Sequence, residues 1–187
     1  MYFLPLNLKK IDVVRPDWVR PMDMVKWKGA DYAKEVFTDS FLEKLSSIAK
    51  VSGLMIFNKM RQHNPVTAHI DVALINNKPI YINYGLNVVF DDSTDMSSKM
   101  QWYTRKNPEI QKHVLISPGN TPYINFSTSE LTLESEYSID EYITLVRTDI
   151  PHSICSGNGI RTCVSLRFHE NHDWEKAVEL FNKTFNQ

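Results

Sequence analysis

The sequence predicts a mainly β fold, a sandwich or barrel of short antiparallel strands with a helix on either side of it. Three observations carry that prediction. Residues 54–168 alternate β-branched and aromatic runs with clusters of Asn, Pro, Gly, Asp and Ser; a capped helical pattern precedes them; an amphipathic one follows. At 187 residues, with 42% hydrophobic and 11% aromatic content, the chain has enough apolar mass for one core and no second domain is expected. The division reads as an N-terminal arm and helix (1–53), a β core (54–168) and a C-terminal helix (169–187).

In chain order, the first forty residues mix Pro5, Pro16 and Pro21 with Trp18 and Trp27 and show no period, so an irregular arm packed by its aromatics is expected. Ser40 and Glu43 form a capping-box pattern, and Phe41, Leu42, Leu45, Ile48 and Ala49 recur at helical spacing, which predicts a helix of about ten residues. The runs LMIF, KPIYINYGLNVVF, KHVLIS, PYINF, EYITLVRT and GIRTCVSLRF then read as strands. NNKP at 76–79, SPGN at 117–120 and SGNG at 156–159 supply residues suited to tight turns between them. Finally Trp174, Ala177, Val178, Phe181 and Phe185 share one helical face behind Asp173, a capping residue, so a terminal helix should pack on a sheet.

Charge and cysteine content leave several classes unsupported. With 21 basic and 22 acidic residues the formal charge is −1, so no overall field draws the protein to nucleic acid or to anionic lipid. Cys155 and Cys163 belong to no zinc or disulfide pattern. The start of the chain has neither the basic beginning nor the cleavage site of a secretory signal, and no run is long and apolar enough to span a bilayer. A soluble protein of the reducing cytoplasm is expected, with no membrane partner.

The residues that suggest chemistry begin with His69-Ile70-Asp71. On a strand, positions 69 and 71 project from one face, so an imidazole and a carboxylate converge while Ile70 points the other way. Such tripeptides are common, and a half-buried His paired with an Asp is the usual explanation of one on its own. A third ligand has to come from elsewhere, and His152, in a β-rich run just before a turn, is the best candidate. Two His and one carboxylate cap one face of an octahedron and favour non-haem iron(II) over closed structural zinc. Beyond the turn, Arg161, Cys163, Ser165 and Arg167 alternate onto a single face. Arginines on a β-core face call for an anion, and a guanidinium grips a carboxylate with two hydrogen bonds. The alternative is that each Arg reaches solvent at a strand end.

Together, HID at 69–71, PHSI at 151–154 and RTCVSLRF at 161–168 resemble the signature of the iron(II)- and 2-oxoglutarate-dependent oxygenases: HxD, a distal His, and an Arg on the next strand. YINYGLNVVF followed by MQWYT is similar to the Asn-bearing and Trp-bearing strands of the aspartyl/asparaginyl hydroxylase-like branch. The resemblance covers residues 54–168 and implies a double-stranded β-helix, the jelly-roll or cupin-like fold. It further implies His69, Asp71 and His152 as iron ligands and Arg161 as the anchor for the distal carboxylate of 2-oxoglutarate, with Arg167 as second choice. Asn87 and Ser165 follow as polar contacts to that cosubstrate. The family often carries Ser or Thr where this chain has Cys163. The implied reaction consumes O2, releases succinate and CO2, and hydroxylates a small amino-acid-like molecule or a protein residue.

Other candidates are weaker. His169 and His172 read as a strand–helix junction, and His63 could border the mouth of the site. Trp102 is expected in the core, with Lys99, Arg105 and Lys106 as a solvated charge run beside Tyr103, and DDSTD at 91–95 as a polar loop lacking the Gly and Glu of a calcium site. A non-catalytic cupin-like module that binds metal or carboxylate is the alternative of another class. Nucleobase demethylation rests only on the Arg161/Arg167 spacing, which is like that of the alkylation-repair dioxygenases.

Overall fold

The computed structural model describes residues 1–21, 26–59, 68–92, 98–110, 112–117, 121–155 and 160–187. The chain opens with β1 (Phe3–Lys9), α1 (Lys10–Val13), β2 (Lys26–Gly29), a 3-10 turn (Ala30–Tyr32), α2 (Ala33–Val36) and α3 (Asp39–Ser46). Then come β3 (Val51–Lys59), β4 (Ala68–Ile75), β5 (Lys78–Tyr81), β6 (Tyr84–Asp91), β7 (Lys99–Arg105), β8 (Val114–Ile116) and β9 (Pro122–Phe126). A second 3-10 turn (Thr128–Glu130) leads into β10 (Leu131–Tyr137), β11 (Tyr142–Arg147), β12 (His152–Cys155), β13 (Arg161–Phe168) and α4 (Trp174–Phe185).

These strands form two antiparallel sheets. The first runs β1-β11-β6-β13-β3-β2, and the second runs β10-β7-β12-β4-β9-β8 with β5 paired to β4. Three apolar clusters hold the layers. On the outer face of the first sheet, Leu54, Ile56, Leu86, Val88, Val164 and Leu166 meet Phe41, Leu45 and the Trp174–Phe185 face of α4. Between the sheets, Val89, Val146 and Cys163 meet Met100 and Trp102. On the far face of the second, Ile70, Val72, Ile124 and Phe126 pack together. Burial of this much branched and aromatic surface, at about 25 cal/mol per Å², is what offsets the ordering of so many short strands.

The terminal helix forms as its pattern predicts. Asp173 caps it by accepting from the Lys176 amide at 2.8 Å, and Trp174, Ala177, Phe181 and Phe185 are buried. The NNKP turn also forms. Asn76 and Asn77 hold φ of 51° and 61°, the left-handed pair that closes a two-residue hairpin and that Asn tolerates better than most residues. The long run KPIYINYGLNVVF is two strands. At Ile82–Asn83 the chain leaves β4, where the Ile82 amide bonds the Asp71 carbonyl, and enters the first sheet, where Asn83 accepts from the Thr148 amide.

Two expectations are corrected. The N-terminal segment is no irregular arm, because β1 and β2 complete the two edges of the first sheet, β1 on β11 and β2 on β3. Helix α3 begins at Asp39 behind Thr38, with no side-chain cap, so Ser40 lies inside the helix and its capping box does not form. A capping box does form at Ser127 and Glu130, around the short turn before β10. Residues 118–120 of SPGN, all of SGNG, positions 93–95 of DDSTD and His63 lie outside the described residues.

A candidate metal centre

The site grows from the alternation of β4. Ile70 enters the far cluster, so His69 and Asp71 turn toward the opposite sheet. Strand β12 lies beside β4 with His152 in register with His69, and on its other side with Trp102 of β7. Three ligand atoms therefore converge. His69 Nε2 lies 3.5 Å and His152 Nε2 3.9 Å from Asp71 Oδ1, and the rings of the two histidines are 4.5 Å apart between centroids. One donor atom from each of His69, Asp71 and His152 falls within 4.8 Å of the others.

Local hydrogen bonds prepare these donors. His152 Nδ1 donates to the Ile150 carbonyl at 2.9 Å, which fixes the tautomer and leaves Nε2 as the free lone pair facing Asp71. Burial, reinforced by His69, lowers the His152 pKa to about 4 against the opposing pull of Asp71, so the ring is neutral at physiological pH and ready to ligate. For Asp71, burial alone pushes the carboxyl up, but Arg167, His152 and His69 outweigh it and hold it below the usual carboxylate range.

The counter-charge comes from β13. Arg167 Nη2 donates to Asp71 Oδ2 at 2.6 Å, which leaves Oδ1 to face the two imidazoles. The guanidinium can lie there because the neighbouring strand has Gly85. A Cβ at that position would collide with Arg167 Nη1 and approach Ser165 Oγ to 3.2 Å. Arg167 is 6% exposed, and its Nε and Nη1 have no hydrogen-bond partner among the described residues. Farther along the same face, Ser165 Oγ donates to Asn87 Oδ1 at 2.5 Å, and Asn87 Nδ2 approaches Met100 Sδ at 3.9 Å. At the beginning of β13, Arg161 is 2% exposed, and its Nη1 also lacks a partner among the described residues. Its neighbour Cys163 is buried, and that burial raises the thiol's pKa.

The structure thus brings His69, Asp71, His152 and Arg167 into one cluster, places Ser165 and Asn87 beside it, and sets Arg161 at the other end of β13, roughly 20 Å away along the strand. Sequence reading missed the Asp71–Arg167 contact and Gly85. A glycine inside the otherwise apolar strand YGLNVVF was the available signal, since it marks a close approach. The remaining candidates have structural partners. Trp102 is fully buried and its Nε1 donates to the Arg147 carbonyl. Tyr103 bonds Gln101 and Ser153; Lys99 pairs with Glu136, Arg105 with the Ile110 carbonyl, and Lys106 with the Ser129 carbonyl. The His169 amide bonds the Lys50 carbonyl, and the His172 ring lies parallel to that of Tyr84, which suits a strand–helix junction. Cys155 and Cys163 are free. Among the described residues no helix is long and apolar enough to cross a membrane. Comparison with family models, curated proteins and solved structures finds no match for this chain.

Proposed function

We propose that this chain is an iron(II)- and 2-oxoglutarate-dependent oxygenase on a double-stranded β-helix, with His69, Asp71 and His152 as metal ligands. The observation that carries the reading is the convergence of two imidazoles and one carboxylate on the inner face of a β-sandwich, beside the buried Arg167, whose Nε and Nη1 lack partners among the described residues. A neutral, tautomer-fixed His152 and an ionised Asp71 suit a divalent ion, and three protein donors leave positions for other ligands. Strand order supports the fold. Eight strands (β3, β4, β6, β7, β10, β11, β12, β13) form two four-strand blocks, β11-β6-β13-β3 and β10-β7-β12-β4, as a jelly roll would.

Iron(II) with 2-oxoglutarate and O2 supplies oxidation of a substrate C–H bond, with succinate and CO2 released. The protein's own groups bind and orient. Arg161 and, as second choice, Arg167, which lies nearer the metal ligands, offer buried donors to a carboxylate, and Asn87 and Ser165 line the face between them. Arg161 Nη1 is buried without a partner among the described residues, and an anionic cosubstrate would satisfy it. Arg167 holds Asp71 with one oxygen turned to the imidazoles. Because Asp71 fills the carboxylate position, hydroxylation rather than halogenation is the outcome.

Titrating 2-oxoglutarate into Mn(II)-loaded protein tests the assignment. Arg161→Ala should weaken 2-oxoglutarate at least about tenfold with Mn(II) affinity kept, whereas Arg167→Ala should weaken Mn(II) itself. The Asp71–Arg167 contact, which spends on a protein carboxylate an Arg167 donor that could have met 2-oxoglutarate, favours the second reading, a non-catalytic cupin-like module that binds metal or carboxylate. Under that reading metal binds and 2-oxoglutarate does not.

A further inference from the structure

Beyond Asp71 and Arg167 a cavity of about 550 Å³ opens between the edges of the two sheets, within the size range of small-molecule sites. Among the described residues its only aspartate and arginine are Asp71 and Arg167, which neutralise each other at 2.6 Å. The side chain of Asn171, also at the wall, is already spent on the Tyr81 carbonyl and the Asn83 amide. The exposed His169 imidazole is the other basic group on the wall, so among the described residues the wall offers no spare carboxylate for the ammonium of an amino acid. What it offers is apolar surface held open to solvent. Trp27, Leu74, Ile80 and Tyr81 are 49%, 43%, 41% and 52% exposed, although each is large enough to have been buried elsewhere. The Trp27 indole is specifically accommodated, because it lies across Gly53 of β3, where a Cβ would strike Cζ2 and the Lys28 carbonyl.

We propose that this cavity is the substrate pocket and that it takes a small molecule with an uncharged aliphatic or aromatic body, entering past Trp27 and Tyr81 and ending at Asp71. As a substrate pocket it rests on the metal-site reading above, and it narrows that reading away from free amino acids. Complementarity is the reason: an apolar body releases the water over Trp27, Leu74, Ile80 and Tyr81, whereas the ammonium of a zwitterion would lose its hydration with no free carboxylate to meet it.

The test is competition for 1-anilinonaphthalene-8-sulfonate bound to the full chain, using indole and 1-octanol against L-leucine and L-asparagine. Indole and 1-octanol should displace the dye at concentrations at least about tenfold lower than either amino acid. Leu74→Glu and Ile80→Glu, both at exposed positions that leave the core intact, should each weaken the two uncharged probes about tenfold, with unchanged circular dichroism. Displacement by the amino acids at equal or lower concentration overturns the proposal, as does undiminished probe binding in both variants. Far tighter binding of a capped apolar pentapeptide than of either probe also overturns it, in favour of a peptidyl substrate. Mn(II) and 2-oxoglutarate titrations of the same samples separate the two readings. Probe binding without metal binding sinks the oxygenase and leaves an apolar pocket, and metal binding without probe binding does the reverse.

Discussion

Strand β13 has two faces that are built on different terms. Val164 and Leu166 point outward into the cluster under α4, and Arg161, Cys163, Ser165 and Arg167 point inward toward the second sheet; all six are buried. The outer residues are interchangeable apolar volume, held by packing against Phe181, Leu54 and Leu86. Two of the inner ones, Arg167 and Ser165, are polar groups in a place that is costly for them, and each is answered by a particular partner: Asp71 for Arg167, Asn87 for Ser165. Burial on the outer face makes stability, and burial on the inner face makes a site.

Substitutions on the two sides should separate those terms. The largest expected effect comes from Asp71→Ala, which strands the Arg167 guanidinium. We expect a loss of about 3–5 kcal/mol in urea unfolding, together with at least about a hundredfold loss of Mn(II) affinity. Phe181→Ala on the outer side should cost a similar 3–5 kcal/mol, roughly, while Mn(II) binding to the folded protein stays unchanged. If Phe181→Ala also abolished metal binding, the division between the faces would not hold.

A smaller effect should appear with pH in the metal-free protein. The His152 ring has a pKa of about 4 when folded against an ordinary 6.5, so the unfolded chain binds the proton more readily. Its contribution is complete above pH 6.5 and is lost as pH falls toward 4, up to about 3 kcal/mol. Urea midpoints across that range should slope downward in the wild type and flatten in His152→Leu. Smaller again is Gly85→Ala. Its methyl group should displace the guanidinium from Asp71, costing about 1–3 kcal/mol and lowering Mn(II) affinity about tenfold. Unaltered Mn(II) affinity in that variant would mean that Arg167 does not position the ligand.

Much of the inner face was readable because strand geometry has a period of two. HID and RTCVSLRF declare which side chains travel together, and the Asp173 cap with its apolar face declares α4. What stayed hidden depends on partners distant in sequence. Strands β1 and β2 carry prolines or too few residues to show a period, and only pairing with β11 and β3 makes them strands. Strand β10, LTLESEY, is mostly solvent-facing, so its polar composition conceals it. Thr38 displaced Ser40 as the start of α3, and its amide is held by the Val13 carbonyl, a distant partner that composition does not reveal. Arg167 was legible as an inward cation, but its partner was not. A guanidinium serves a bound carboxylate or a protein carboxylate equally well, and only the fold brings Asp71 to it.

The most direct test of the central claim is the visible spectrum of anaerobic protein with iron(II) and 2-oxoglutarate, compared with His152→Ala and Arg161→Ala. We predict a weak charge-transfer band in the wild type that is lost in His152→Ala and weakened in Arg161→Ala. A folded, iron-loaded wild type that shows no band on addition of 2-oxoglutarate would contradict the oxygenase reading.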